Sequence, residues 1–73
     1  MKLLNERLVA LRQKSSLTQT TFSQALGLSL RGYRRYELGE RDIPSSILIA
    51  IAEYFNVSLD YLVGRTDNPE INK

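Results

Sequence analysis

With 73 residues, 42% of them hydrophobic and 25% charged, the chain has the make-up of one small globular domain and no room for a second core. Cysteine and histidine are both absent, which excludes disulfides, thiolate sites and the common Cys- and His-based catalytic arrangements, and leaves any metal only eight acidic residues without calcium-loop spacing. The net charge of +2 hides an asymmetry: residues 1 to 41 hold eight Lys or Arg against three Asp or Glu, whereas residues 42 to 73 hold two against five, so the first half suits a polyanion.

Residues 3 to 14 place Leu4, Leu8 and Leu11 at helical spacing, with Asn5 set to cap the start. Ser15 and Ser16 connect this first helix to a second, predicted over residues 19 to 26, which Thr18 caps and Gly27 ends. Leu17, Phe22 and Leu26 are its core anchors, and Ser23 is a small residue suited to a close helix crossing. Ser29 caps a third helix over residues 30 to 38, stopped by Gly39. Two short helices joined by a tight glycine turn make a helix-turn-helix unit, whose second helix suits a DNA major groove. Pro44, with Ser45 or Ser46 as polar cap, opens a fourth helix over residues 46 to 55, with Leu48, Ile51, Ala52 and Phe55 as core stripe. Asn56 ends it. Ser58 caps a last short helix through Val63, Gly64 stops it, and the polar tail 65 to 73 is expected to fray. No apolar run approaches the roughly 20 residues of a membrane span, and there is no signal-peptide core, so a cytoplasmic location is expected.

Stepping about 100° per residue along the third helix sorts its faces. Gly32, Tyr33, Tyr36 and Glu37 fall inward; Leu30, Arg31, Arg34, Arg35 and Leu38 fall outward. Guanidinium groups bond bidentately to guanine and pair with phosphates, so this face has the chemistry of a base reader, against the plainer reading of a solvated cationic surface. Arg12, at the edge of the first helix's apolar stripe, calls for a partner, and Glu37 is the best placed; the alternatives are water or a phosphate. Gln19 at the first turn of the second helix, with Thr18, Thr20 and Thr21 around it, suits a phosphate, and Arg41 follows the DNA backbone beyond the third helix. Gly32 inside a helix signals a close approach, by the second helix or by DNA. Ile47, Ala50 and Tyr54, with Tyr61, form a second apolar strip expected to stay wet in a monomer and so to mark a protein contact.

The order and spacing of LRQKSSLTQ, the Gly27 turn with Leu28 and Ser29, RRYELGER and NVSLDYLVG resemble the phage repressor and Cro type of helix-turn-helix regulators over roughly residues 3 to 64. The resemblance implies an all-α, lambda-repressor-like bundle of five short helices that binds operator DNA as a dimer. It also implies that Gln19 contacts phosphate, that Leu30, Arg31 and Arg35 face bases, and that Arg12 and Glu37 form a partly buried ion pair. Where the family is usually polar this chain has Leu30, which suits a thymine methyl; Gly32 and Leu38 also depart, Ser16 stands where glycine is common, and Asp42 puts a negative charge in an often cationic loop.

The expected function is a sequence-specific double-stranded DNA-binding transcriptional regulator, a repressor acting as a homodimer on a palindromic operator, over a domain spanning residues 1 to 64. The alternative is an antitoxin or phage regulatory partner that binds another protein through the fourth helix. An enzyme is not expected, since no nucleophile-and-base pair or phosphate-cradling loop is present, and no cofactor or small-molecule ligand is expected either.

Overall fold

A computed structural model describes residues 2–71 as α1 (Lys2–Lys14), α2 (Gln19–Ala25), α3 (Leu30–Leu38), α4 (Ser45–Phe55) and α5 (Leu59–Leu62). Met1, at the start of the predicted domain, and Asn72 and Lys73, at the end of the predicted tail, lie outside the described residues. Such short helices carry a large share of end groups whose backbone partners must be found elsewhere. All five ends solve this alike. A residue with left-handed backbone follows each helix: Ser16 (φ 58°), Gly27 (71°), Gly39 (74°), Asn56 (55°) and Gly64 (87°). The next amide then reaches the carbonyl five residues back, as from Leu17 to Arg12 at 3.1 Å, Leu28 to Ser23 at 2.9 Å and Arg65 to Asp60 at 2.8 Å.

Three helix starts are capped by hydroxyls. Thr18, Ser29 and Ser58 accept from the amides of Thr21, Gly32 and Tyr61. α4 differs from expectation: Pro44 is its N-cap residue and no side chain bonds there, so neither Ser45 nor Ser46 caps it. α1 already begins at Lys2, which puts Asn5 inside the helix rather than at its start. Its amide packs against the end of α3 instead, where a Cβ on Gly39 would meet Asn5 Nδ2 at 2.3 Å. α2 closes one residue early, with Leu26 as its C-cap.

Leu8, Phe22, Tyr33, Ile51 and Leu62 are completely buried, and Leu4, Tyr36, Ala52 and Val57 nearly so. Each large side chain removed from water contributes about 1.5 to 3 kcal/mol. The Phe22 and Tyr33 rings meet edge to face at 5.5 Å, which locks α2 onto α3. Ser23 is buried at this crossing and donates its hydroxyl to the Thr20 carbonyl at 2.8 Å, leaving no polar cost. Of the two close approaches expected at Gly32, that by α2 does not occur: a Cβ there would meet only the capping hydroxyl of Ser29, at 3.1 Å.

The expected frayed tail is instead tied to the bundle. Arg7 Nη1 donates to the carbonyls of Tyr61 and Thr66, its Nη2 meets Asp67 Oδ1 at 2.7 Å, and its guanidinium lies 4.1 Å from the Tyr61 ring centroid. The Ser58 amide adds a bond to the Pro69 carbonyl at 2.9 Å. Among the described residues no helix is long and apolar enough to cross a membrane.

Candidate nucleic-acid interface

α3 is anchored by one face only. Tyr33 and Tyr36 plunge into the core, while Arg31, Arg34, Arg35 and Leu38 stand in solvent, with Leu38 69% exposed and Leu30 half-buried at the helix start. Leu30, Arg31, Arg34, Arg35, Leu38 and Glu40 line a shallow open concavity along this outer face. The side chains of Arg31 and Arg35 are exposed and make no hydrogen bond among the described residues, so their donors are open to solvent. Arg41 is likewise exposed, just beyond the end of α3.

Behind this face lies a polar network. Glu37 Oε2 accepts from Arg12 Nε at 2.6 Å and from the Tyr33 hydroxyl at 2.5 Å; Oε1 accepts from Gln19 Nε2 at 2.9 Å and Arg12 Nη2 at 3.3 Å. Arg12 Nη1 also donates to the Leu17 carbonyl at 2.9 Å, which fixes the connection between α1 and α2. The pair is largely shut off from water, with side chains 12% (Arg12) and 6% (Glu37) exposed. Burial alone would raise the Glu37 carboxyl, but hydrogen bonds from Arg12, Tyr33 and Gln19 and the charge of Arg12 outweigh it and hold the group below its ordinary value. The hydrogen bond to Glu37 raises Arg12 in turn. Burial, reinforced by the Glu37 charge, pushes the Tyr33 phenol far up, so its proton stays in place as a donor.

Two predicted phosphate contacts are thereby redefined. Gln19 spends its carbonyl and one amide hydrogen inside the protein, since its Oε1 accepts from Arg34 Nε at 3.1 Å. The Thr18 hydroxyl gives its single hydrogen to Thr21 Oγ1 at 2.9 Å while capping the Thr21 amide, so the hydroxyl donor left at this corner belongs to Thr21. The Tyr33 hydroxyl is likewise committed within the protein, to Glu37. The link from Gln19 to Arg34, 15 residues apart, carries no pattern in the sequence that would have announced it.

The four residues of the predicted apolar strip do not form one. Ile47 and Tyr61 pack against the core, and Tyr61 faces α1, where Arg7 covers its ring. Ala50 is half-buried. Tyr54 is 49% exposed, yet one side of its ring packs at 5.1 Å against Phe22 and at 5.2 Å against Phe55. The apolar side chains left in water on this part of the molecule are Ile49, Tyr54, Leu59 and Ile71. Among the described residues no cluster of acidic side chains is arranged to hold a metal ion.

The helix-turn-helix family matches the chain over residues 8–62. The chain is 32% identical over 65 residues to YobD, an uncharacterized HTH-type transcriptional regulator of Bacillus subtilis, covering 89% of this chain and 58% of YobD. It is 35% identical over 69 residues to YqaE, another uncharacterized HTH-type transcriptional regulator of that organism, covering 94% of this chain and 60% of YqaE. To the cryptic phage CTXphi transcriptional repressor RstR of Vibrio cholerae it is 36% identical over 62 residues, covering 85% of this chain and 55% of RstR. The chain thus spans little more than half the length of these relatives. No solved structure matches it.

Proposed function

Because the chain belongs to the helix-turn-helix family, we propose that it is a sequence-specific, double-stranded DNA-binding regulator of transcription, acting as a repressor and as a homodimer on a palindromic operator. The observation that carries this reading is the outward face of α3, where three arginines stand in solvent on a helix whose opposite face is rooted by two buried tyrosines. In the major groove Arg31, Arg34 and Arg35 meet base edges, Leu30 meets a thymine methyl, and Arg41, Thr21 and the second amide hydrogen of Gln19 meet phosphates. RstR, a relative by sequence, is named a repressor, which favours occlusion of a promoter over activation. The wet side chains of Ile49, Tyr54 and Leu59 favour a self-interface on the α4 and α5 side, away from the arginines.

Selection of bound sites from random duplexes tests the reading. The expected result is a palindromic motif with half-sites about one helical turn, roughly 34 Å, apart, bound with an affinity that falls steeply as salt rises. Absence of enrichment, or a flat salt response, refutes DNA binding; an enriched motif without a palindrome, bound by a monomer in light scattering, refutes the homodimer.

A further inference from the structure

We propose that Glu37 and Gln19 are positioning residues for Arg34, and that this relay makes Arg34 the preorganised base reader among the three arginines of α3. The inference rests on the DNA-binding reading above. It starts from the chemistry of the carboxylate. An ionised glutamate only accepts hydrogen bonds, and Glu37 is buried and held in that state by Arg12 and Tyr33. Gln19 presents its amide to this group with two possible orientations, and only one is compatible. The NH2 branch must face the carboxylate, as Nε2 does at 2.9 Å, which turns the carbonyl branch outward.

An outward carbonyl selects a donor. Arg34 Nε supplies it at 3.1 Å, and the reverse orientation of the amide would set carbonyl against carboxylate and NH2 against guanidinium. A single buried charge therefore fixes the amide, and the amide fixes the stem of the arginine. With Nε engaged, Arg34 keeps both terminal nitrogens for the bidentate match to a guanine edge. Arg31 and Arg35 have no such tether among the described residues and must be ordered when DNA binds, at a cost of about two- to tenfold in affinity for each side chain immobilised.

The test compares wild type, Gln19→Met, Arg34→Ala and the double variant on the best selected site and on a panel of its single base-pair substitutions. Methionine keeps the length and removes the acceptor, while Glu37 keeps its bonds to Arg12 and Tyr33. The expected result is that Gln19→Met weakens the best site by about fivefold and flattens discrimination at the same base pair that Arg34→Ala flattens. In the double variant that discrimination falls no further, because the two residues act as one unit. Glu37→Gln, which offers Gln19 an acceptor and a donor side by side, partly flattens the same base pair while circular dichroism verifies that the helices persist. An even loss across the whole panel, with every base preference intact, overturns the relay and leaves Gln19 a phosphate contact. Unchanged binding in Gln19→Met overturns it too. Failure of the wild type to enrich any duplex is the separate result that removes the DNA-binding reading itself, and the relay with it.

Discussion

Replacing Arg12 by methionine isolates the charge on which the N-terminal half of the bundle depends. The side chain is of similar reach, so packing along α1 is retained while Glu37 loses donors at 2.6 and 3.3 Å and the positive charge behind them. Removing one partner of a buried pair costs about 3 to 5 kcal/mol, because the remaining charge stays buried without compensation. Two donors remain, Tyr33 and Gln19, which places the expected loss near the lower end, about 3 kcal/mol at neutral pH. A domain of this size has about 3 to 5 kcal/mol of net stability, so most of it would be consumed.

The loss must also depend on pH, in a definite direction. In the wild type the Glu37 carboxyl lies below its ordinary value of about 4.3, so its contribution is complete above that value and is lost as pH falls toward the folded one. In Arg12→Met burial becomes the dominant influence and moves the carboxyl up. A raised carboxyl stabilises through its neutral form, and that contribution disappears as pH rises through the glutamate range. The gap between the two proteins therefore opens from about 1 kcal/mol at about pH 4 to about 3 kcal/mol at about pH 7. Urea titrations followed by helical circular dichroism at the two pH values measure it. Arg12→Met combined with Glu37→Gln should remove the share of the pH dependence that Glu37 contributes and recover part of the stability. A deficit below about 1 kcal/mol at neutral pH, or one equal at both pH values, refutes the account of a buried carboxylate held by Arg12.

Three further outcomes follow from the same geometry. Ser16 holds a left-handed backbone that costs a residue with a Cβ about 1 kcal/mol, so Ser16→Gly should raise the urea midpoint by about that amount of stability. A Cβ at Gly27 meets nothing within 4 Å, whereas one at Gly39 meets Asn5 Nδ2 at 2.3 Å; Gly39→Ala should therefore lower the melting temperature more than Gly27→Ala, and Asn5→Ala should cancel the difference. The Tyr33 phenol is held above its ordinary value of 10.0 by burial and by Glu37, so its contribution is complete below about pH 10 and is lost as the unfolded tyrosine ionises above it. Tyr33→Phe should cost about 1 to 2 kcal/mol at neutral pH and flatten this alkaline limb of the stability profile.

Most of what was legible in the sequence lay within single helices; the exception is the Arg12–Glu37 pair, which joins α1 to α3 as its placement on the two helices suggested. The division of α3 into a tyrosine face and an arginine face follows from a 3.6-residue period, and the structure buries Tyr33 and Tyr36 and exposes Arg31, Arg34 and Arg35 accordingly. Four of the five helix ends were marked by Gly27, Gly39, Asn56 and Gly64, residue types that adopt a left-handed backbone readily. Serine carries no such mark, so Ser16 stood out only through its family resemblance. α4 defeated periodicity for another reason. SILIAIAEYF is apolar on nearly every side, and with no polar face to orient it Ile47 and Ala50 were read as wet when they are half-buried. Arg7 was invisible as a clasp because its partners, Thr66 and Asp67, lie 59 and 60 residues away.

The Glu37 carboxylate joins what the helices alone leave separate. It receives Arg12 from α1, Gln19 from α2 and Tyr33 from its own helix, and Arg12 adds the connection at Leu17. Sliding α3 against either neighbour would strip donors from a charge largely shut off from water, which costs more than losing an equal number of surface contacts. The three helices are thus constrained to move together. Three solvent-exposed arginines on a helix free to shift would read no base pair reproducibly, because recognition requires donors held to within a fraction of an ångström. On the proposed reading, the acidic residue behind the cationic face does not weaken an attraction for DNA: it gives that attraction a direction.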